Sequence, residues 1–559
     1  MGVHLSYFVP SRAVYLYTLS RFVFNKFHMV NCKLCKSWNG SKQCVKDRLS
    51  FHKQRSSSYK MLIVTFGVLS LTLILVYYKW RHQYWRRKNV PFLTPSIPFG
   101  NLKNPFNLKE NVGETIHTIY NEMKKRKWKH GGIYQFTSPV YVVLDLEYVK
   151  NILTKDFDHF IDRGFYYNEK DDPLSAHLFA LGGSKWRNLR HKISPTFTSG
   201  KMKLMFPSMV ECAKNLEERL RVEFEKNEPI DIREVLACYT TDIIGSCAFG
   251  LDIKSFKDSN SPFRVYGRKV FAETNAIKMT FATTFPDFSR KLRLILSPND
   301  ATEFFLNVVK ENVSYREKNS YFRNDFIQLL TEIKNKRKCD ETDNLTVEEI
   351  AAQCFVFFLA GFETSSNTMA YAFYELARHQ DVQDKLRDEI QTVMKRHDGK
   401  ISYSSLQELK YMDQVLDETL RKYPTLFSIT RRCIKDYKIP DENIIIEKGT
   451  TVVISALGIH YDEEYYPDPQ KFDPERFSEE NKKSRHQYAH LAFGGGPRRC
   501  IGMRFGVMEA KIGFISLLKE YKFTVNQKTE DPLKMKVNSF VVAPQGEIWL
   551  NAEKLQIPI

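Results

Sequence analysis

The chain has 559 residues, too many for one typical domain of ~100–200, and its 43% hydrophobic and 27% charged residues exclude a disordered, collagen-like or low-complexity protein. A mean hydropathy of -0.40 excludes a multispanning membrane protein and leaves room for one span. The net charge of +19 suggests nucleic acid only until it is located: residues 1–60 carry +10 and residues 79–88 carry +5. Positions 89–559 keep +4, so no nucleic-acid partner is expected.

The first sixty residues are an atypical basic extension. Within them Cys32, Cys35 and Cys44 could be read as a metal site, but no fourth ligand is evident. From Met61 to Tyr78 run eighteen uncharged residues, MLIVTFGVLSLTLILVYY, just enough to cross a ~30 Å hydrocarbon core at ~1.5 Å per residue. Tyr77, Tyr78, Trp80, Trp85 and the basic residues at 79–88 mark a membrane interface with its basic side cytosolic. The apolar run ends in Tyr-Tyr-Lys-Trp rather than small residues, so it reads as a retained anchor and not a cleaved signal. A second basic flank ahead of the anchor would oppose that orientation; Met61 is therefore expected to be the true start and residues 1–60 an artefact of the gene model. Pro91, Pro95 and Pro98, ending at Gly100, complete a basic, proline-rich linker over 79–100. Residues 101–559 show no further break and read as one large domain. Ten irregularly spaced cysteines imply no disulfide framework in a cytosolic domain, and the sequons at Asn39, Asn312 and Asn344 carry no weight there.

Residues 132–137 and 140–144, around Ser138-Pro139, read as a β-hairpin. Trp186 and Arg190, at i and i+4, share one helix face. Thr346-Val-Glu-Glu349 is a capping box opening a long helix to His379, apolar nearly all round through AAQCFVFFLAGFETSS. In it Gly361 is expected to leave space above a flat cofactor, and Thr364 has a hydroxyl able to bond a preceding carbonyl or a ligand. Glu418 and Arg421 form an i, i+3 pair, and Asp473-Pro-Glu-Arg476-Phe477 brings a second arginine; a carboxylate between two guanidiniums can stay charged when buried. Near the C-terminus FGGGPRRCIG, Phe493 to Gly502, precedes a helical stretch. A cysteine there, Cys500, sits where free backbone N–H groups favour a thiolate. Gly494, Gly495, Gly496 and Gly502 leave room around the sulfur, and Arg498 offers a cation for a carboxylate.

Phe493-x-x-Gly496-x-Arg498-x-Cys500-x-Gly502 resembles the cysteine loop of the cytochrome P450 superfamily at every fixed position. Several stretches, among them VLACYTTDIIGSCAFG and FFLAGFETSS, resemble insect microsomal enzymes of family 6, associated with plant toxins and insecticides. The resemblance implies a mainly α fold with a small β region, a cytochrome P450 fold on a single N-terminal transmembrane anchor. It implies haem b with Cys500 as thiolate ligand, and haem contacts from Trp186, Arg190, Arg431, Phe493 and Arg498. Glu363 and Thr364 would deliver protons; Glu418, Arg421 and Arg476 would be structural; Phe179, Phe357, Ala360, Leu426 and Phe427 would line the substrate pocket. Ser365 stands where a second threonine is frequent. The expected activity is insertion of one oxygen atom from O2 into apolar small molecules: xenobiotics, plant toxins, insecticides or endogenous lipids. No nucleotide-binding glycine motif is apparent, so electrons from NADPH would come through NADPH–cytochrome P450 reductase, with cytochrome b5 as a second donor. The expected location is the endoplasmic reticulum membrane, catalytic domain on the cytosolic face. Two alternatives stay open: a haem-thiolate isomerase or peroxide-rearranging enzyme, and a non-catalytic haem or hydrophobic-ligand binding protein.

Overall fold

The computed structural model describes residues 42–102, 110–258, 260–273, 276–336 and 345–555. Cys32, Cys35, Asn39 and Asn344 lie outside them, as does the side chain of Cys44. The chain divides into two compact units, Met1–Lys79 and Trp80–Ile559.

Helix α1 (Lys42–Arg81) begins nineteen residues before the apolar stretch, since Lys42–Lys60 contains neither proline nor glycine to end it. Met61 to Tyr77 expose apolar side chains along it, Ile63 at 71% and Phe66 at 65%. By length and composition this helix can cross a membrane.

The second unit uses these elements below: α2 (Val112–Lys125), β1 (His130–Gln135), β2 (Ser138–Val143), α3 (Gly183–Ile193), α4 (Ser199–Glu225), β3 (Ile230–Asp231), α5 (Ile232–Ile244), α6 (Val347–Arg378), α7 (Lys410–Lys422), β4 (Ser428–Arg432), β5 (Thr451–Ser455), α8 (Met503–Leu518), β6 (Tyr521–Val525) and β7 (Trp549–Lys554). The expected hairpin forms, but its turn is Phe136-Thr137 and Ser138-Pro139 belong to β2, with Ile133 facing Val140 and Gln135 facing Ser138. It joins a four-stranded sheet in the order β1-β2-β5-β4, with β2 and β5 parallel. A second sheet runs β3-β7-β6. One apolar core surrounds this first sheet; a larger one packs between the helices.

Residues 80–100, expected as a linker, pack on this unit. Trp85 is 1% exposed and its indole donates to the Ile133 carbonyl at 2.9 Å. Gly132 permits that approach, because a Cβ there would lie 2.3 Å from the Trp85 ring. An aromatic read as a membrane-interface anchor thus belongs to the core, while Trp80 stays 56% exposed.

Helix α6 is the axis of the helical core, and its capping box is complete: the Glu349 amide donates to Thr346 Oγ1 at 3.1 Å and the Thr346 amide to Glu349 Oε2 at 2.8 Å. Gly361 lines the cavity described below and also has a packing role: a Cβ there would come within 2.4 Å of Ile244 Cδ1, so the missing side chain lets α5 pack against α6.

Candidate active site

Between α6, the loop before α8 and the four-stranded sheet lies a cavity of about 1850 Å³. It exceeds the ~300–1,000 Å³ usual for one small ligand, enough for a cofactor and a substrate together.

The loop Phe493–Gly502 turns the cysteine into this cavity. Gly494 and Gly496 adopt left-handed φ of +71° and +65°. At Gly496 the constraint is also steric, since a Cβ would sit 1.7 Å from the Leu153 carbonyl oxygen. Gly502 has open space at its Cβ position, leaving a flat surface beside Cys500. The Cys500 amide donates to the Phe493 carbonyl at 2.9 Å, closing the loop. Cys500 presents its side chain to the cavity, and α8 begins three residues later. Burial pushes its thiol up, against the Gly502 amide and the Arg163, Arg190 and Arg499 guanidiniums, which pull it down. A coordinated metal ion deprotonates such a thiol outright.

Five arginines line the same space; Arg499 is exposed, and the other four are Arg163, Arg190, Arg431 and Arg498. Arg498 is 2% exposed, donates to the carbonyls of Ile161, Leu178 and Leu181, and lies 3.9 Å from the centre of the Trp186 ring. Arg431 donates from Nη1 to the Thr430 carbonyl, but its buried Nε has no hydrogen-bond partner. Burial lowers Arg498 to about 8, with Arg163 and Arg431 adding repulsion, and lowers Arg431 to about 9. Arg163, brought to about 10 by burial, donates to the Phe179 and Arg498 carbonyls. Burial also lowers Arg190. None of the four makes an ion pair among the described residues. Buried cations without counter-charge are costly. A flat ligand with two carboxylates would supply that charge, and Cys500 would supply a soft ligand to its metal, so the residues fit haem. Arg163 was missed in the sequence because a lone arginine in Phe-Ile-Asp-Arg-Gly carries no pattern.

On α6, Thr364 lines the cavity and its hydroxyl donates to the Ala360 carbonyl. Glu363 does not line it; the Asn367 amide donates to Glu363 Oε1 at 3.3 Å. Phe179, Phe357, Ala360, Leu426 and Phe427 all stand on the wall, as does Phe493. Away from the cavity, Glu418 and Arg421 on α7 are both 0% exposed and joined twice, Nε to Oε2 at 2.7 Å and Nη2 to Oε1 at 2.9 Å. The Asp473 amide adds a bond to Oε1 at 2.9 Å. Burial pushes the Glu418 carboxyl up, against Arg421, the Asp473 amide and Arg476, which pull it down. Arg476 is the looser third member, with Nε 3.5 Å from Glu418 Oε1 and Nη2 bonded to the Asp468 carbonyl.

The cytochrome P450 family profile matches residues 94–551, and the chain belongs to that family of haem-thiolate monooxygenases. It is 43% identical over 506 residues to cytochrome P450 6A1 of Musca domestica, spanning 89% of this chain and 98% of that protein. It is likewise 43% identical over 499 residues to the probable cytochrome P450 6a23 of Drosophila melanogaster, and 39% identical over 510 residues to cytochrome P450 6a2 of the same fly. Those alignments span 88% and 89% of this chain and 99% and 100% of the relatives. The likeness to insect enzymes of family 6 is thereby shown.

Proposed function

We propose that this enzyme inserts one oxygen atom from O2 into apolar small molecules, with electrons from NADPH delivered by a membrane-bound flavoprotein reductase and cytochrome b5 as a second donor. The observation that carries this is the cavity itself, where Cys500, Thr364 and an aromatic wall face one space. Bound haem supplies the activation of dioxygen. Cys500 would be its iron ligand, and Arg498, Arg431, Arg190 and Arg163 would hold its carboxylates, with Trp186 stacked on Arg498 and Phe493 on the cavity wall. Phe179, Phe357, Ala360, Leu426 and Phe427 exclude water and orient an apolar substrate by shape. Thr364 holds a hydroxyl at the wall, oriented by the Ala360 carbonyl, where it can pass a proton.

Removing that hydroxyl tests its role. In Thr364→Ala, product formed per NADPH is expected to fall roughly tenfold or more while peroxide rises, with the carbon-monoxide difference spectrum intact. Unchanged coupling would remove Thr364 from proton delivery. The overall reading is tested by supplying full-length enzyme with reductase, NADPH and isotopic O2, using substrates chosen from a binding-spectrum screen. One labelled oxygen in the product is expected; substrate rearranged without NADPH would overturn it.

The anchor and the basic residues after it support residence in the endoplasmic reticulum membrane with the catalytic unit in the cytosol. Protease added outside sealed microsomes should then digest the catalytic unit; full protection would reverse the orientation. Asn312 fits a cytosolic setting, because its Nδ2 donates to the Phe249 carbonyl at 2.8 Å and its Oδ1 accepts from Arg316 at 2.6 Å.

A further inference from the structure

Two stretches far apart in sequence meet at the edge of the cavity: Tyr166, Ser175 and His177 line it from one, Leu296, Ser297 and Pro298 from the other. A single carboxylate joins them. Asp172 Oδ2 accepts from the Leu296 amide at 2.9 Å and from the Ser297 amide at 3.2 Å. Asp172 is 1% exposed and does not itself line this cavity; with Ile295 and Asn299 it lines a smaller one of about 300 Å³, so the clasp stands between the two. Its own loop is a firm post. The Asp172 amide donates to the Asn168 carbonyl at 3.0 Å, Ser175 Oγ to the Asp172 carbonyl at 2.6 Å, and the Asn168 amide to Ser175 Oγ at 2.9 Å. The other stretch has little else to hold it. Beyond the helical and turn bonds of positions 279–297 themselves, their hydrogen bonds among the described residues end on Tyr166, Tyr167 or Asp172: the Tyr166 hydroxyl donates to the Leu294 carbonyl at 2.9 Å and Arg290 Nε to the Tyr167 carbonyl at 3.2 Å. Permanent braces in this fold are built differently, with both oxygens of Asp325 on Arg316 at 2.7 Å and both oxygens of Glu418 on Arg421. Asp172 has no ion pair among the described residues, Lys278 acting on it only from beyond that distance, and its Oδ1 is buried without a hydrogen-bond partner. Parting the stretches would hydrate that oxygen, which lowers the cost of opening.

We infer that Asp172 is a positioning residue for the substrate cavity: by holding residues 296–298 against the stretch 166–180 it sets how bulky a ligand the cavity retains and how fast that ligand leaves. This rests on the reading of the cavity as a haem and substrate site. Asp172 touches neither substrate nor cofactor and acts through two backbone amides. Bonds from amides to a carboxylate are about twice as strong as neutral ones, so their loss leaves positions 279–297 held from outside by Tyr166 and Tyr167 alone. A ligand that fills the cavity as far as Leu296 leaves more readily once that edge yields. A small ligand does not depend on it, because Phe540 lines the cavity while 44% exposed, so the cavity already reaches solvent there.

The test uses the full-length holoenzyme and two haem-iron ligands of different bulk, imidazole and the triaryl imidazole clotrimazole, with dissociation followed by stopped-flow absorbance. Neither needs reductase or turnover. From Asp172→Ala, clotrimazole should leave on the order of tenfold faster than from the wild type, while imidazole leaves within about twofold of it and the carbon-monoxide difference spectrum stays intact. Asp172→Asn, whose side-chain carbonyl still accepts from both amides, should restore most of the retention. Deuterium exchange of the peptide 290–298 should be faster in Asp172→Ala and, in the wild type, slower with clotrimazole bound than with imidazole. A purely structural aspartate would loosen both ligands alike. Clotrimazole release unchanged in Asp172→Ala, both ligands accelerated equally, or Asp172→Asn no better than Asp172→Ala would overturn the inference. If Asp172→Ala carries no haem, the wild-type exchange decides, and protection of 290–298 indifferent to which azole is bound overturns it. If the wild type gives no azole spectrum, the haem reading fails instead, and exchange of 290–298 in Asp172→Ala against the wild type still decides whether the carboxylate holds that edge.

Discussion

Cys500→Ala is expected to abolish the red-shifted Soret band of the reduced carbon-monoxide complex and to reduce turnover to background. Cys500 and Cys247 are the cysteines on the cavity wall among the described residues, and of the two only Cys500 stands in the loop Phe493–Gly502; Cys212, Cys238, Cys354 and Cys433 are buried elsewhere. On the proposed ligand set, removing Cys500 would take away the donor that sets the electronic character of bound haem, whereas the arginines proposed to hold its carboxylates are untouched. Haem content should therefore fall less than activity. A Cys433→Ala control should keep the spectrum, since that side chain packs in the sheet core with its thiol on the Lys435 carbonyl. Retention of the thiolate band in Cys500→Ala would refute the ligand assignment.

Breaking the Glu418–Arg421 pair should be nearly as severe, through folding rather than chemistry. Both side chains are fully buried, so Arg421→Met leaves a carboxylate with one backbone amide and a distant Arg476. Removing one partner of such a pair costs ~3–5 kcal/mol, a large share of the ~5–15 kcal/mol by which a folded domain is stable. The variant should yield little haem-bearing protein at 37 °C and a markedly lower melting midpoint. Replacing both residues with methionine should recover much of the loss, because no uncompensated charge then remains. A single variant as stable as the wild type would mean that the pair does not hold α7 to the Asp473 turn.

Features set by neighbours in the chain were legible in the sequence. The capping box fixes where α6 begins because Thr346 and Glu349 are one turn apart; the two strands of the hairpin were legible, though its turn is Phe136-Thr137 and not Ser138-Pro139; Glu418 meets Arg421 because i and i+3 share a helix face. The spacing Phe-x-x-Gly-x-Arg-x-Cys likewise encodes a loop closed by its own backbone, from the Cys500 amide to the Phe493 carbonyl.

Long-range packing decided the rest. Which atoms a glycine admits depends on chain hundreds of residues away, so Gly361 serves Ile244 and Gly496 serves the Leu153 carbonyl. Trp85 looks like an interface anchor beside an apolar span until β1 is folded over it. Arg163, Arg431 and Arg498 become a single electrostatic unit only when a loop, a strand and the cysteine turn converge, and that burial lowers all three. Glu363 and Glu509 show the reason most plainly. In sequence each is a helical glutamate; in the fold one finds Asn367 and the other is sealed among α4, α5 and α6, because desolvation is a property of the surroundings and no local spacing of residues encodes it.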